Sequence, residues 1–385
     1  MFGVTLDRRK LATLMAVALL AGCKVIPKGG VEAPPPPENP NANVLPTDQA
    51  RHRVALLVPM AGPNGAVGQS IANAATMALL DTSAQNLRIT TYDTSTGAAS
   101  AAAKAVADGN KLILGPLVAE DIPAVAATAR GSKVPVISFS NDETAAARDV
   151  FIMGSLPSQS VARTVAYARA QGVTRFAAMV PDGEYGRRAS AALFSQLRTN
   201  GGSVVASEAY DRANTSVTSA ARRLRAKGGY DAVLIADGGR LAAQAAGALK
   251  TPATAATPRI LGTELWSGEG SVTTSPALRG AWFAAVPDTR FRQFAESYRS
   301  RFGAQPYRIA TLGYDGVLLT LRIAREWRPG TTFPLARLTD KDGFLGLDGP
   351  FRFSGNGVIE RALEVREVRA GGVAVVSPAP ARFAD

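Results

Sequence analysis

A glycine-rich loop follows the first apolar run of this sequence and is its clearest candidate for chemistry. Residues 56–70 read LLVPMAGPNGAVGQS, so that Gly62, Gly65 and Gly68 stand between an apolar stretch and the start of a helical pattern. A strand that runs through such a loop into a helix can bind phosphate, because free N–H groups at the helix N-terminus point at the anion.

The spacing of these glycines fits neither common nucleotide-binding motif. A Walker loop ends in G-K-[ST] and a Rossmann loop reads G-x-G-x-x-G, whereas here the glycines are three residues apart and Pro63 has no N–H to donate. Two interpretations remain open. The loop is either a tight turn without a ligand, or a helix terminus whose N–H groups bind the carboxylate or carbonyl of a small solute.

The sequence contains few of the cysteine and histidine side chains that enzymes commonly use in catalysis. Cys23 is the sole cysteine and His52 the sole histidine. His52 stands between two arginines at the edge of the first predicted strand, where we expect it to be solvated. A Ser-His-Asp triad is therefore unavailable, and no serine stands in an S-x-x-K or G-x-S-x-G motif. We expect a protein that is not an enzyme and that has no cofactor and no metal.

The N-terminus has the pattern of an export signal. Three basic residues at 8–10 precede the ten apolar residues Leu11 to Leu20, and Leu20-Ala21-Gly22-Cys23 follows. A membrane span needs about 20 apolar residues, so this pattern predicts a signal peptide over 1–22. It resembles the lipobox of bacterial lipoproteins, which implies cleavage before Cys23, a lipid on Cys23 and a membrane anchor. An ordinary signal peptide with a chance cysteine is the alternative.

Residues 23–50 have the composition of a tether. Four consecutive prolines stand at 34–37, and few residues of the segment are apolar. Such a chain cannot bury enough surface to offset its ordering entropy, and at roughly 3.1 Å per residue it could reach about 80 Å. Lys24 stands where an aspartate is associated with inner-membrane retention, which favours the outer membrane of a two-membrane cell. In a single-membrane cell this argument does not apply.

The formal charge of +12 suggests a search for anionic partners. Its excess lies in the second half, where Arg222, Arg223, Arg225 and Lys227 cluster on one predicted helix. Basic clusters can attract nucleic acid, but an exported protein rarely meets it and no aromatic residues interleave this cluster. We expect no nucleic-acid partner, and either a solvated helix face or a surface for a protein.

Short apolar runs alternate with amphipathic, alanine-rich stretches over the body of the chain. Strands are predicted at 53–59, 87–93, 111–115, 134–140, 175–181, 203–210, 231–237, 259–265 and 281–287, with helical spacing between them. This alternation predicts an α/β fold of parallel sheets flanked by helices. The roughly 335 residues after the tether exceed what one core usually serves, so we expect two lobes.

The last third of the chain departs from this rhythm. Long helical stretches at 291–302 and 308–327 precede a strand-rich end with a Gly-Asn-Gly hairpin turn. We expect the helices to return to lobe I and the strands to lobe II, which makes about three crossings. The predicted units are 51–157 and 286–333 for lobe I, 158–285 and 334–370 for lobe II, and 371–385 for a C-terminal tail.

Six motifs in order resemble the leucine-binding type of periplasmic binding proteins, also called type I solute-binding proteins, over nearly all of 51–370. They are PMAGPNGAVGQS, KLILGPL, VPVISFSND, PDGEYGRR, LGTELWSG and LDGPFRFSGNGV. No single motif is specific for the family, but the occurrence of all six in this order and at this spacing is. The resemblance implies a two-lobed, non-catalytic binding protein of the periplasm.

The resemblance also implies a ligand site between the lobes. Amino-acid receptors of this type hold the carboxylate with hydroxyls and backbone N–H groups of the first lobe, and the ammonium with an acid of the second. The positions implied here are Gly65, Gly68, Gly115, Pro116, Leu117, Ser138, Ser140, Asn141, Tyr185 and Glu264, with Glu264 opposite the ammonium. Phe139 departs from the small residue that amino-acid binders prefer, so the expected ligand is amino-acid-like or amide-like.

Two functions fit these expectations. The chain is either the substrate-binding component of an ABC-type importer, or a lipoprotein activator of penicillin-binding proteins that regulates peptidoglycan synthesis through protein contacts. The lipid and the long tether suit a protein that reaches a partner across a gap, whereas the ligand-type cleft suits an importer.

Overall fold

The computed structural model describes residues 50–214, 216–250 and 257–383. The predicted signal peptide, the lipidation of Cys23 and nearly all of the tether lie outside these residues and stay predictions. Within the described ranges, no helix is long and apolar enough to cross a membrane.

The first sheet has five parallel strands in the order β2-β1-β3-β4-β5. They are β1 His52–Val58, β2 Leu87–Asp93, β3 Leu112–Leu114, β4 Val136–Ser138 and β5 Val150–Ile152. Helices α1 Gly65–Asp81, α2 Ala98–Ala107 and α3 Ile122–Arg130 connect and cover them. The strands at the centre are buried on both faces, as their nearly continuous apolar sequence requires. Strand β5 was not predicted.

His52 is buried, contrary to our expectation. It is only 3% exposed and stacks on Trp327 with ring centroids 4.2 Å apart. Burial lowers the pKa of His52, because removal from water disfavours the imidazolium. The reason is tertiary: Trp327 follows a helix far along the chain that returns to cover this strand end.

The second sheet has seven strands in the order β15-β14-β10-β9-β8-β6-β7. They are β6 Arg175–Pro181, β7 Ser203–Tyr210, β8 Ala232–Ile235, β9 Arg259–Leu261, β10 Trp282–Ala285, β14 Glu364–Arg369 and β15 Gly372–Ser377. The first five are parallel, and β14 and β15 are antiparallel additions. Helices α4 Pro157–Ala170, α5 Glu184–Asn200, α6 Ser216–Lys227, α7 Gly239–Leu249 and the short α8 Gly270–Thr274 accompany this sheet.

Alternate side chains of this sheet enter two separate cores. In β6, Phe176 and Ala178 pack into one core, whereas Ala177 and Met179 pack into the other. This is the period of two expected for a strand with helices on both faces.

The long helices α9 Thr289–Phe302 and α10 Thr311–Ala324 return to the first lobe, as predicted. Phe294 and Tyr298 of α9 pack against Ala74 and Met77 of α1, and α10 adds Val317 to the first core.

The final strands divide between the lobes, and this corrects the predicted boundaries. A small antiparallel sheet of β11 Phe344–Gly346, β12 Gly349–Phe353 and β13 Ile359–Arg361 packs into the first core, because Phe351, Phe353 and Ile359 are buried there. Assigning all of 334–370 to lobe II was therefore wrong. The tail predicted from 371 begins instead with β15, which pairs with β14 in the second lobe.

The chain passes between the lobes three times, from β5 to α4, from β10 to α9 and from β13 to β14. This agrees with the predicted number.

Candidate ligand-binding site

A cavity of about 750 Å³ lies between the two lobes, beside the three crossings. The first lobe contributes Leu117, Ser140, Asn141, Phe291, Arg308, Thr311, Asp348 and Arg361 to its wall. The second contributes Gln159, Ser160, Glu264, Ser267 and Glu269. The cavity is thus apolar in part, with acids on both lobes and arginines on the first.

Glu264 is positioned by the turn that follows β9. This turn is a short 3₁₀ helix, Glu264–Trp266, whose Trp266 is buried and donates its indole N–H to the carbonyl oxygen of Asp237 at 2.8 Å. The Trp266 ring lies flat against the backbone of Gly262, where an added Cβ would come within 2.4 Å of the ring. The G-x-E motif therefore has a packing reason: the glycine admits the tryptophan, and the tryptophan fixes the glutamate.

The Glu264 carboxylate has one satisfied oxygen and one unsatisfied oxygen. Its Oε1 accepts a 2.9 Å hydrogen bond from the Tyr185 hydroxyl, which also contacts Thr263. Its Oε2 is buried and accepts no well-formed hydrogen bond from any residue that the structure describes, because the nearby Ser160 hydroxyl donates instead to the carbonyl oxygen of Ala284 at 2.7 Å. Burial raises the pKa of Glu264 to about 7, and the Tyr185 hydrogen bond opposes this rise.

The ends of the strands in the first lobe are occupied by internal hydrogen bonds. Ser138 Oγ donates to the carbonyl oxygen of Pro116 at 2.8 Å and accepts from the Ser140 N–H at 3.1 Å. Ser140 Oγ accepts from the Asp142 N–H at 3.0 Å. These bonds hold the loop after β4 in place, and Ser140 and Asn141 face the cavity from it.

Glu269 already occupies the N-terminus of helix α7. Its Oε2 accepts hydrogen bonds from the Gly239 N–H at 2.8 Å and from the Ser271 hydroxyl at 3.1 Å. A helix N-terminus favours an anion. Because a carboxylate of the chain itself takes this position, the α7 terminus has no need of one from a solute.

Arg308 and Asp348 form the charged wall of the first lobe. Arg308 Nη1 donates to Asp348 Oδ1 at 2.7 Å, and Thr311 donates to the other oxygen at 2.9 Å. Burial acts to raise the pKa of Asp348, but the charges of Arg308 and Arg361 and the hydrogen bonds from Arg308 and Thr311 together outweigh it and lower the pKa. Behind it, burial and the charge of Asp348 raise the pKa of Asp315 to about 7.

Comparison with known proteins identifies the family. The model of a periplasmic binding protein family matches residues 52–373, which is most of the chain. The chain belongs to the periplasmic binding protein family. The resemblance inferred from the six motifs is thereby confirmed.

Solved structures share the fold of this periplasmic binding protein at low sequence identity. A putative branched-chain amino acid ABC transporter protein from Rhodospirillum rubrum has a TM-score of 0.74 at 21% identity, covering 85% of this chain and 100% of that one. The transporter substrate-binding protein LivJ of Streptococcus pneumoniae, in complex with isoleucine, gives 0.63 at 17%, covering 85% and 100%. A solute-binding protein of Rhodopseudomonas palustris, in complex with 3,4-dihydroxybenzoic acid, gives 0.65 at 19%, covering 87% and 97%. At these identities the likeness shows the fold.

A curated relative extends the comparison over part of the chain. An uncharacterised protein of Rickettsia prowazekii is 26% identical over 179 residues, which is 46% of this chain and 48% of that protein. The chain therefore spans about half the length of the relative that it matches.

Four of the residues implied by the family resemblance line the cavity of this periplasmic binding protein: Leu117, Ser140, Asn141 and Glu264. Tyr185 does not line it but supports Glu264 from behind. Ser138 is fully buried, with both of its hydrogen bonds made within the first lobe, so it acts on the cavity only through the loop that it holds.

The four remaining implied positions lie outside the cavity wall, and packing explains the glycines among them. At Gly68 an added Cβ would come within 1.8 Å of the Pro59 carbonyl oxygen, and at Gly115 within 2.1 Å of the Leu57 carbonyl oxygen. Gly115 also has a φ of +100°, and its bond to Pro116 is cis. Gly65 likewise lies against Met60 at 3.2 Å. These positions let helices and turns approach the ends of β1 closely.

Sequence reasoning missed the charged wall of the first lobe. The residues of this wall lie in the last third of the chain. Arg308 and Arg361 stand outside the motif segments that indicated the site, and Asp348 stands within one of them, LDGPFRFSGNGV. That acid between two turn-forming glycines was the one available signal. Glu269 follows the G-x-E motif by five residues and was also missed. Within the described ranges, no group of three or more His, Cys, Asp or Glu side chains could hold a metal ion.

Proposed function

We propose that this chain is a non-catalytic solute-binding component of an ABC-type importer, which encloses a small amino-acid-like or amide-like solute between its lobes. The observation that carries the proposal is Glu264: a cavity of solute size contains a carboxylate oxygen with no hydrogen-bond partner among the described residues. A buried acceptor left in this state is costly, and an ammonium group of a solute would satisfy it.

The comparisons support this proposal through the ligands that they name. One structure of the same fold holds isoleucine, and another holds 3,4-dihydroxybenzoic acid. Both are small organic acids, and about 750 Å³ is ample for either. Enclosure of such a solute would proceed by closure of the lobes about the three crossings.

We also propose that the protein works in the periplasm and is held to a membrane by a lipid on Cys23. The lipobox pattern supports this, and the missing aspartate after Cys23 favours the outer membrane where two membranes exist. Labelled fatty acid should be incorporated into the full chain in cells and not into Cys23→Ser. Incorporation into both proteins would contradict the anchor.

A direct test uses purified protein and isothermal titration calorimetry with the common L-amino acids and their amides. At least one compound should bind saturably. Glu264→Gln should weaken it by tenfold or more, because the hydrogen bond from Tyr185 survives while the charge opposite the amine is lost. The matched control is Glu360→Gln, whose carboxylate pairs with Arg352 away from the cavity. Equal affinities in wild type and Glu264→Gln would contradict this role for Glu264.

A second candidate is an activator lipoprotein of penicillin-binding proteins, and the proline-rich tether is the observation that favours it. A tether with a reach of about 80 Å is longer than capture of a freely diffusing solute requires. Crosslinking of the lipidated full chain in cells separates the two functions. Recovery of a penicillin-binding protein, together with no saturable solute binding, would favour the activator, whereas recovery of a transport permease would favour the importer.

A further inference from the structure

Two arginines of the cavity wall have hydrogen-bonding groups that the described residues leave unused. Arg308 donates through Nη1 to Asp348, but its Nε and Nη2 are closed off from solvent and make no hydrogen bond within the described part of the chain. Arg361, whose side chain is 2% exposed, donates through Nη2 to the carbonyl oxygen of Met153 at 2.9 Å, and its Nε and Nη1 make no hydrogen bond there either. Buried N–H groups without an acceptor are costly, and charged ones most of all.

The neighbouring acids do not supply the missing acceptors. Asp348 Oδ2 lies 3.8 Å from Arg361 Nη1, which is too far for a hydrogen bond. Asp288 Oδ1 lies 3.9 Å from Arg308 Nε, and its other oxygen accepts from Arg366. Asp348 is thus the carboxylate that bonds directly to Arg308. Asp288 and the buried Asp315 act on the two guanidinium groups only through their charge and leave the four N–H-bearing nitrogens without an acceptor.

The unused groups of Arg308 have the geometry that a carboxylate needs. Nε and Nη2 form one edge of a guanidinium group, and such an edge can donate two parallel hydrogen bonds to the two oxygens of a carboxylate. Two contacts hold the Arg308 guanidinium group in place. Its Nη1 donates a hydrogen bond to Asp348, and its Cζ lies 4.3 Å from the centroid of the Phe291 ring.

The other donors of the cavity wall are neutral or already used. The Ser138 hydroxyl donates to the Pro116 carbonyl oxygen, and the N-terminus of α7 holds Glu269. The Ser140 hydroxyl and the Asn141 side-chain amide line the cavity and can still donate, but they carry no charge. Hydrogen bonds from a charged donor to a carboxylate are stronger, and the charged donors of this wall lie where α10 begins and β13 ends.

We propose that Arg308 and Arg361 form an anion subsite that binds the carboxylate of the solute, so that the solute is a carboxylic acid and its amide is rejected. This inference rests on the proposed function, because it assumes that the cavity is where the solute binds. In this arrangement the carboxylate of the solute binds to the first lobe. The amine of the solute, where it has one, binds to Glu264 of the second lobe. A carboxylic acid without an amine, such as benzoate, would use the arginine subsite alone.

The test is calorimetry on the purified chain with the common L-amino acids, benzoate and, for each amino acid that binds, its carboxamide. Acids should bind at least about tenfold more tightly than their amides, and Arg308→Met should abolish that preference. Arg308→Lys should retain part of that preference, because lysine keeps the positive charge but cannot donate two parallel hydrogen bonds to a carboxylate. Arg301→Gln is the matched control, since Arg301 pairs with Asp81 on the surface of the first lobe.

Arg361→Met should act in the same direction, but Arg361 also holds the carbonyl of Met153 beside a crossing. If this variant does not fold, as judged by circular dichroism, Arg308→Met and Arg308→Lys carry the test.

The two proposals fail in different ways. Binding that is weakened by Glu264→Gln but equal within twofold in wild type and Arg308→Met would overturn the anion subsite and leave the proposed function standing. If the amides bind as tightly as the acids, the anion subsite is likewise overturned and the proposed function still stands. If neither benzoate nor any amino acid or amide binds saturably to the wild-type chain, both proposals are wrong.

Discussion

Arg188 of the second lobe forms an ion pair across the cleft with Asp142 of the first, with Nη2 2.8 Å from Oδ2. Both side chains are largely buried, at 11% and 18% exposure. The Nη1 group of the same arginine lies 3.3 Å from the backbone and side-chain oxygens of Asn141, which faces the cavity. This bridge therefore joins α5 directly to the loop that lines the cavity.

We expect Arg188→Gln to weaken solute binding by about tenfold, because a partly buried charge-assisted hydrogen bond contributes about 1.5–3 kcal/mol to the closed arrangement. Small-angle scattering should show a larger radius of gyration for the variant without solute. The neighbouring Arg187→Gln is the control, since Arg187 is exposed and pairs with Glu184 on its own helix. Equal affinity in wild type and Arg188→Gln would show that the bridge does not favour closure.

Binding of an amine-bearing solute should strengthen as the pH rises towards 7. The raised pKa of Glu264, about 7, means that the carboxyl is largely protonated below that pH, and a proton then competes with the ammonium group for the same oxygen. The affinity should fall by up to about tenfold for each pH unit below 7 and level off above it. The flanking Tyr185, whose pKa is raised well above its usual value, stays neutral throughout this range.

Calorimetry at pH 5, 6, 7 and 8, in pairs of buffers with different ionisation enthalpies, measures both the affinity and the proton released on binding. In Glu264→Gln the pH dependence and the proton release should both disappear. A pH profile that persists in this variant would assign the titration to another group.

Stability without solute should decrease as the pH rises from about 4 to 7. Asp315 has a folded-state pKa of about 7 against an ordinary value of 3.8, so the folded state binds the proton more tightly than the unfolded state does. The stabilisation is fully present below the ordinary pKa and is lost as the pH rises through about 7. Glu264 acts in the same direction, whereas the lowered pKa of buried His52 acts in the opposite direction below its ordinary value of 6.5 and offsets part of the effect.

Urea unfolding at pH 5 and pH 8 measures this effect, which we expect to exceed about 1 kcal/mol. Asp315→Asn should flatten the profile, since the charge is gone while an oxygen can still accept from the Leu347 N–H. Asp342→Asn, on the exposed turn before β11, should leave the profile as in wild type. A steeper decline in Asp315→Asn would contradict the assigned sign.

Gly262→Ala should disturb the cavity wall from within the second lobe. Its Cβ would come within 2.4 Å of the Trp266 ring, so the ring must move, and the turn that carries Glu264 moves with it. Overpacking of this kind costs about 1–3 kcal/mol. Solute affinity should fall as well, even at temperatures where the variant is fully folded.

Thermal unfolding and calorimetry on the same samples check this prediction. Gly247→Ala on α7 is the control, because no atom lies within 4 Å of the added Cβ. Unchanged solute affinity in folded Gly262→Ala would show that Trp266 does not position Glu264.

The strands and helices were largely predictable, because each depends on a pattern within its own segment. The predicted strands at 87–93, 175–181 and 203–210 match β2, β6 and β7 to the residue. Their apolar residues form a short continuous run or alternate along the strand, and the neighbouring segments have the helical period. Strand β5 was missed, since three apolar residues at 150–152 are too short to show any period.

The motifs identified part of the cavity wall, whereas the predicted glycines proved to have packing roles. Glu264, Ser140, Asn141 and Leu117 line the cavity as expected, but Gly68 and Gly115 serve close packing against β1. A sequence shows that a position tolerates no side chain, whereas only the structure shows whether a solute or the chain itself fills the space.

The sequence by itself determined the family, the two α/β lobes and the acid of the second lobe, because these follow from local periodicity and from contiguous motifs. The tertiary structure alone decided the burial of His52, the return of 344–361 to the first lobe and the meeting of Arg308, Asp348 and Arg361. Those groups are 40 and 13 residues apart along the chain, and only the packing of the small β11–β13 sheet into the first core brings them to one wall. Charges placed by such long-range packing leave no periodic trace in the sequence, since their spacing is set by the core that carries them.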